Sequence, residues 1–288
     1  MVAVGPLFVS AMRDADGELL LITHDGGFGR LNDSGNQAGE VGDLDIVPLA
    51  DSRVLTTCIS GSGRVLNIVW EIQPNGAVVR LFDSGTDGPP ARQVSCVVLQ
   101  QSPTVQVVAI LYADDSSRLV LSSWRVTVAS VGLMADSGDQ MGESDLSQVV
   151  LAPTGHLVVV CRDGNGNLLL IPFTTNADGA DITRVDSGEG RAGKIRELAA
   201  IPRAYVALTA LIGESGNVLL IKWGIDAAGK MERLGESGTQ AGEGSVVSVT
   251  ALPFPDKATV CTALRNGSGD LLPITWDDVD GPGELTVV

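Results

Sequence analysis

Three residue types recur at set places along this 288-residue chain, and together they could recognise a ligand rich in hydroxyl groups. Arg30, Arg80 and Arg233 each stand three residues before the acidic member of an Asp/Glu-Ser-Gly triplet, with Arg184 two before it. Glu40, Glu143 and Glu243 each stand seven after it. Trp70, Trp124, Trp223 and Trp276 close a recurring apolar octet whose last position is taken elsewhere by His24 and Phe173. A guanidinium donates to a hydroxyl, a carboxylate accepts from one, and an indole offers an apolar face to the C–H side of a sugar. The same residues have structural uses: a large ring can wedge between sheets, and Arg can pair with Asp on its own turn for about 0–1 kcal/mol when exposed.

Glu40, Glu143 and Glu243 each precede a predicted innermost strand, so a ring of these carboxylates would attract a hard cation such as Ca²⁺. Pro90, and Gly193 followed by Lys194, occupy the matching places in two other units, and Lys194 would put an internal cation into that ring. The segments 14–18 and 163–167 look like fragments of Ca²⁺ loops but lack the distant bidentate Glu and read as hairpin turns. No catalytic set emerges. The two histidines, His24 and His156, fall at non-equivalent places, no Ser-His-Asp or His cluster can be read from spacing, and no Gly-rich loop follows a strand and opens a helix. An enzyme site scattered over several units would show only as departures from the repeat: His24, His156, Arg92, Lys194, Arg196 and Tyr205.

The elements that must position these residues follow from the triplets. Asp33-Ser34-Gly35, Asp83-Ser84-Gly85, Asp136-Ser137-Gly138, Asp186-Ser187-Gly188 and Glu236-Ser237-Gly238 are 50, 53, 50 and 50 residues apart, a period that belongs to propellers and solenoids. The octets GELLLITH, GRVLNIVW, SRLVLSSW, GNLLLIPF, GNVLLIKW and GDLLPITW begin at residues 17, 63, 117, 166, 216 and 269. Each is apolar, rich in β-branched and aromatic types and bounded by Gly, Asn, Asp or Ser, which reads as a buried strand. In the second unit strands are expected near 44–49, 54–59, 65–72 and 77–82, joined by turns too short for a crossover helix. Residues 1–4 can supply only the tail of a first strand. The triplet suits a turn in which side-chain oxygens accept local N–H groups and glycine takes positive φ.

The expected architecture is all-β: a six-bladed β-propeller of four-stranded antiparallel blades, with a truncated inner strand in the first. It forms one domain over 1–288 with repeats near 1–35, 36–85, 86–138, 139–188, 189–238 and 239–288, because radial repetition leaves no long open edge. An open β-solenoid is the alternative. A formal net charge of −16 and pI near 4.4 argue against nucleic acid or an anionic membrane surface as partner. No signal peptide or membrane span is read, and Cys58, Cys96, Cys161 and Cys261 show no close pairing, which favours buried free thiols and a reducing, cytoplasmic setting.

Trp276-Asp277 and Trp70-Glu71 resemble the Trp-Asp ending of WD40 blades, whose Gly-His element is missing here. The inventory of Arg, Glu and Trp repeated over several blades resembles that of six-bladed fucose-binding lectins, in residue types and not in spacing. That resemblance implies a non-enzymatic binding module with several like inter-blade sites for carbohydrate or another small polar ligand, without a cofactor. The alternatives are an enzyme or small-molecule site at a central channel mouth, and a protein-interaction scaffold.

Overall fold

Each apolar octet forms the third of four consecutive strands. The computed structural model describes residues 1–288 apart from 87, 103, 177, 186–188, 204–205, 239, 253–258, 278–284 and 288. The triplet at Asp186 and the departure at Tyr205 therefore lie outside the described residues.

Among the described residues, 24 strands fall into six groups of four. The first is β1–β4 (Val2–Val4, Leu7–Arg13, Leu19–His24, Arg30–Asp33) and the second β5–β8 (Val41–Pro48, Arg53–Ser60, Val65–Ile72, Val78–Asp83). The third is β9–β12 (Gln93–Gln101, Val105–Ala113, Leu119–Thr127, Val131–Asp136) and the fourth β13–β16 (Ser147–Leu151, Leu157–Arg162, Asn167–Thr175, Ile182–Arg184). The fifth is β17–β20 (Gly190–Pro202, Val206–Gly213, Val218–Ile225, Met231–Glu236) and the sixth β21–β24 (Val247–Leu252, Thr259–Arg265, Leu271–Asp277, Thr286–Val287). Strands pair in chain order within each group, as hairpin-linked meanders do. The first strand is three residues long, as the sequence predicts, and no helix forms among the described residues.

The chain divides into two compact units, Met1–Glu143 with Asn176–Ile182, and Ser144–Thr175 with Thr183–Val288. In the first, alternate residues of β6 serve opposite neighbours: Val54 and Cys58 pack with the first group, Leu55 and Ile59 with the third. In the second, Ala207 and Leu211 of β18 pack with the fourth group, and Leu208 and Ala210 with the sixth. Sheets covered on both faces need apolar residues on both faces, which is why the strands read as continuous apolar runs.

Successive groups are joined just before each inner strand. Single β-bridges couple Glu18 to Glu40, Arg64 to Pro90, Arg118 to Glu143, and Asn217 to Glu243. The matching pair Asn167–Lys194 is part of a longer ladder, because β17 runs for 13 residues and pairs first with β15 and then with β18. The inner strands are also stitched by side chains. Asp45 accepts the Cys96 N–H at 2.8 Å, and Gln148 Oε1 accepts the Ala200 N–H at 2.6 Å.

The triplets act as staples. Ser34, Ser84, Ser137 and Ser237 each donate N–H to a strand-three carbonyl, on Leu21, Asn67, Leu121 and Leu220 at 2.7–3.0 Å. Each hydroxyl accepts the N–H of that same residue at 3.0–3.1 Å. The preceding Asp caps the turn: Asp33, Asp83 and Asp136 accept the N–H of Gly35, Gly85 and Gly138 at 2.7–2.9 Å. Those glycines have φ of 55°, 74° and 59°, where a side chain would be strained.

Candidate functional site

The four indoles are interior. Trp70, Trp124, Trp223 and Trp276 expose 0–4% of their surface, so none offers a face to a sugar, and the expected stacking platform is corrected to a core position. The reason lies 14 residues upstream. Trp70, Trp223 and Trp276 donate Nε1–H to the hydroxyls of Thr56, Thr209 and Thr262 at 2.9–3.0 Å, and His24 Nε2 meets Ser10 Oγ at 3.1 Å. A buried indole N–H needs an acceptor, and the second strand supplies it.

Two groups vary this pairing in a consistent way. In the third, Ile110 stands where the threonine would be, and the hydroxyl has moved to its cross-strand partner Ser122, which accepts Trp124 Nε1–H at 2.9 Å. In the fourth, the ring is Phe173, which has no N–H, and the residue 14 upstream is Val159. A hydroxyl 14 residues before three of the four Trp, absent before Phe173, was a signal visible in the sequence.

The arginines do reach solvent. Arg30 and Arg80 hold Asp33 and Asp83 at 2.5 Å, Arg233 holds Glu236, and Arg80 also donates to the Gln37 carbonyl. Their side chains are 57%, 29% and 40% exposed. Arg184 is tied to Glu189, which also holds Arg191. In β-ladder register Arg80 lies opposite Trp70, Arg233 opposite Trp223 and Arg30 opposite His24, with a bulge at each site just before the ring. The bulge puts an extra residue in strand four and re-aims the arginine. The Asp33 carboxyl is held below its ordinary value by the Arg30 and Gly35 hydrogen bonds. For Asp83, partial burial pushes upward but the Gly85 N–H and Arg80 outweigh it.

The glutamates stand elsewhere. Glu40, Glu143 and Glu243 are exposed and bridge residues that precede the third strand, six positions before its closing ring. Six residues of strand span about 20 Å, so the Arg, Glu and Trp of one group do not converge on one pocket. Among the described residues no three His, Cys, Asp or Glu side chains gather as a metal site. Asp14 and Asp163 spend an oxygen on the N–H groups of their own hairpins, at 2.8–3.0 Å. His156 is tied to Thr154 Oγ1 at 3.0 Å, in a different group from His24.

No family profile matches the sequence, and no curated protein matches it. Solved structures do match in fold. An arginine-to-alanine mutant of AofleA from Arthrobotrys oligospora aligns over 100% of this chain and 84% of its own, with a TM-score of 0.64 at 11% identity. A mutant of Aleuria aurantia lectin in complex with alpha-methyl-L-fucoside aligns over 100% and 91%, with 0.61 at 11%. The WD40 domain of SCAP from fission yeast aligns over 94% and 60%, with 0.57 at 10%. Consecutive four-stranded antiparallel meanders, packed face to face within each unit and shared with these proteins, make the fold of this chain a β-propeller.

Proposed function

We propose that this protein is a non-catalytic binding propeller for carbohydrate, and that its repeated Arg–carboxylate pairs are the contact groups. The observation that carries the reading is the recurrence of these pairs, Arg30–Asp33, Arg80–Asp83 and Arg233–Glu236, at matching places in three groups with both partners at least partly exposed. Two vicinal hydroxyls match such a pair, one accepting from the guanidinium and the other donating to the carboxylate. A fold shared with a lectin solved on a fucoside supports the ligand class. The indoles contribute rigidity behind the site.

The test is a glycan array on the purified chain, followed by titration calorimetry to count sites. More than one site per chain, weakened by Arg80→Ala and by Arg233→Ala, is expected. A blank array overturns the carbohydrate reading, and binding unchanged in both variants overturns the assignment of the contact groups.

A further inference from the structure

The fifth and sixth groups border an open cavity of about 450 Å³ within the second compact unit. It lies between two hairpins that join second to third strands, and its charged lining is Arg196, Arg265 and Glu243. That volume suits a small metabolite. The lining thus carries two guanidiniums to one carboxylate in a chain of net charge −16. Among the described residues, eight of the 15 arginines, Arg30, Arg53, Arg80, Arg118, Arg162, Arg184, Arg191 and Arg233, hold a carboxylate within 4.0 Å, whereas Arg196 and Arg265 have none.

The repeat shows what has been removed. In the fourth group Arg162, last residue of its second strand, donates N–H to the Leu146 carbonyl and grips Asp145 with its guanidinium, Nε to Oδ1 at 2.8 Å. In the sixth group Arg265 holds the same place and donates N–H to the Val246 carbonyl at 3.1 Å. The residue matching Asp145 is Ser245, whose N–H donates to the Arg265 carbonyl at 2.9 Å. The backbone frame is kept and the counter-ion is gone.

The hairpins repeat the pattern. Asp14, Asp114 and Asp163 open the matching turns in the first, third and fourth groups. The two turns bordering the cavity open with Gly213 and Asn266. Asn266 Oδ1 still accepts the Ser268 and Asp270 N–H groups at 3.0 and 2.9 Å, so the turn is intact without its charge, and its amide nitrogen is left to donate. Glu214, nearby, is neutralised by Lys194 at 3.2 Å.

We infer that this cavity binds one hydroxylated carboxylate, a uronic-acid-like sugar, whose carboxylate takes the place beside Arg265 that Asp145 takes beside Arg162. A planar carboxylate suits bidentate capture by Arg265, with Arg196 as the second cation. Glu243 accepts from ligand hydroxyls, and Ser245 and Asn266 supply further polar contacts. This site is separate from the repeated Arg–carboxylate pairs and does not rest on their role.

The experiment is titration calorimetry with glucuronate, glucose and inorganic phosphate on the full chain. One glucuronate per chain is expected, with glucose and phosphate each weaker by about tenfold or more. Ser245→Asp restores the counter-ion already tolerated in the fourth group, so it should fold with an unchanged circular dichroism spectrum and lose about tenfold or more in glucuronate affinity. Arg118→Ala, in an exposed pair that lines neither site, should leave the glucuronate isotherm unchanged, and the one site that Ser245→Asp removes is counted apart from those the glycan array reports. No glucuronate binding, or equal binding by Ser245→Asp, overturns the proposal. Equal binding of glucose overturns the anion pocket, and equal binding of phosphate overturns the sugar.

Discussion

Trp124 Nε1 donates to Ser122 Oγ on its own strand, two residues away, where its counterparts in β7, β19 and β23 reach a threonine on the neighbouring strand. Ser122 in turn donates to the carbonyl of Ile110, the residue that has replaced that threonine. The hydroxyl has crossed the ladder while the buried N–H stays satisfied.

Thr209→Val should therefore leave Trp223 Nε1–H unpaired and cost about 1–3 kcal/mol in urea unfolding. Adding Trp223→Phe recreates the Val159–Phe173 pairing of the fourth group, so the double variant should be less destabilised than the sum of the singles, with a coupling of about 1 kcal/mol or more. Strict additivity would show that the bond contributes nothing specific.

Removing the hydroxyl of a staple should also cost stability. Ser137→Ala deletes the acceptor of the buried Leu121 N–H, with an expected loss of about 1–3 kcal/mol and no change in ligand affinity. A loss of affinity at unchanged stability would make the triplet a contact group.

Arg80→Ala, by contrast, should change unfolding free energy by less than about 1 kcal/mol, because its pair with Asp83 is half-exposed and screened by solvent. Its effect should appear in glycan binding. A large stability loss would mark Arg80 as part of the frame.

Asp45 gives a pH dependence. Burial pushes its carboxyl above the ordinary 3.8, against the hydrogen bonds from Cys96 and Ile46. The folded state therefore binds this proton more tightly than the unfolded one. The cost of the buried charge is absent at low pH and grows as pH rises from the ordinary value through the raised one. Asp45→Asn keeps an acceptor for the Cys96 N–H and removes that cost, so its Tm should exceed wild type at pH 7, with the gap closing near pH 3.8. A lower Tm at pH 7 would mean that the charge itself is needed.

The thiols offer a check on the packing. Burial pushes Cys58 and Cys161 up to about 12, and Cys96 is also buried. Only Cys261 is half-exposed, so Ellman's reagent at pH 8 should titrate one thiol in the native protein and four after denaturation. Faster reaction of two or more would mean that the sheets open readily.

The fold was legible because the repeat is written in turn chemistry and in two-sided apolar strands, both of which are local. The octet placed each third strand to within a few residues, and the triplet was readable as a staple from its residue types alone. What spacing could not show was which way a ring points. Trp70 and Arg80 are paired in register, yet one is core and the other is open, because a bulge between them breaks the alternation on which such readings depend. Glu40 was grouped with Arg and Trp by recurrence, but recurrence gives equal intervals and not equal heights along a strand. The cavity was invisible for a different reason: its meaning lies in Ser245 and Asn266, ordinary residues that matter only when set against Asp145 and Asp163.

The 13-residue strand β17 leaves the fourth and fifth groups in one continuous sheet, bulged at Asn167/Leu169 and Ile195/Glu197, whereas the joints at Glu40, Pro90, Glu143 and Glu243 are single bridges. Any fluctuation that peels the fifth group away must unzip the Asn167–Lys194 to Leu170–Gly190 stretch first. These two repeats therefore form one cooperative block in amide exchange, and a duplication or loss of repeats during evolution would be tolerated more readily at the single-bridge joints than at this seam.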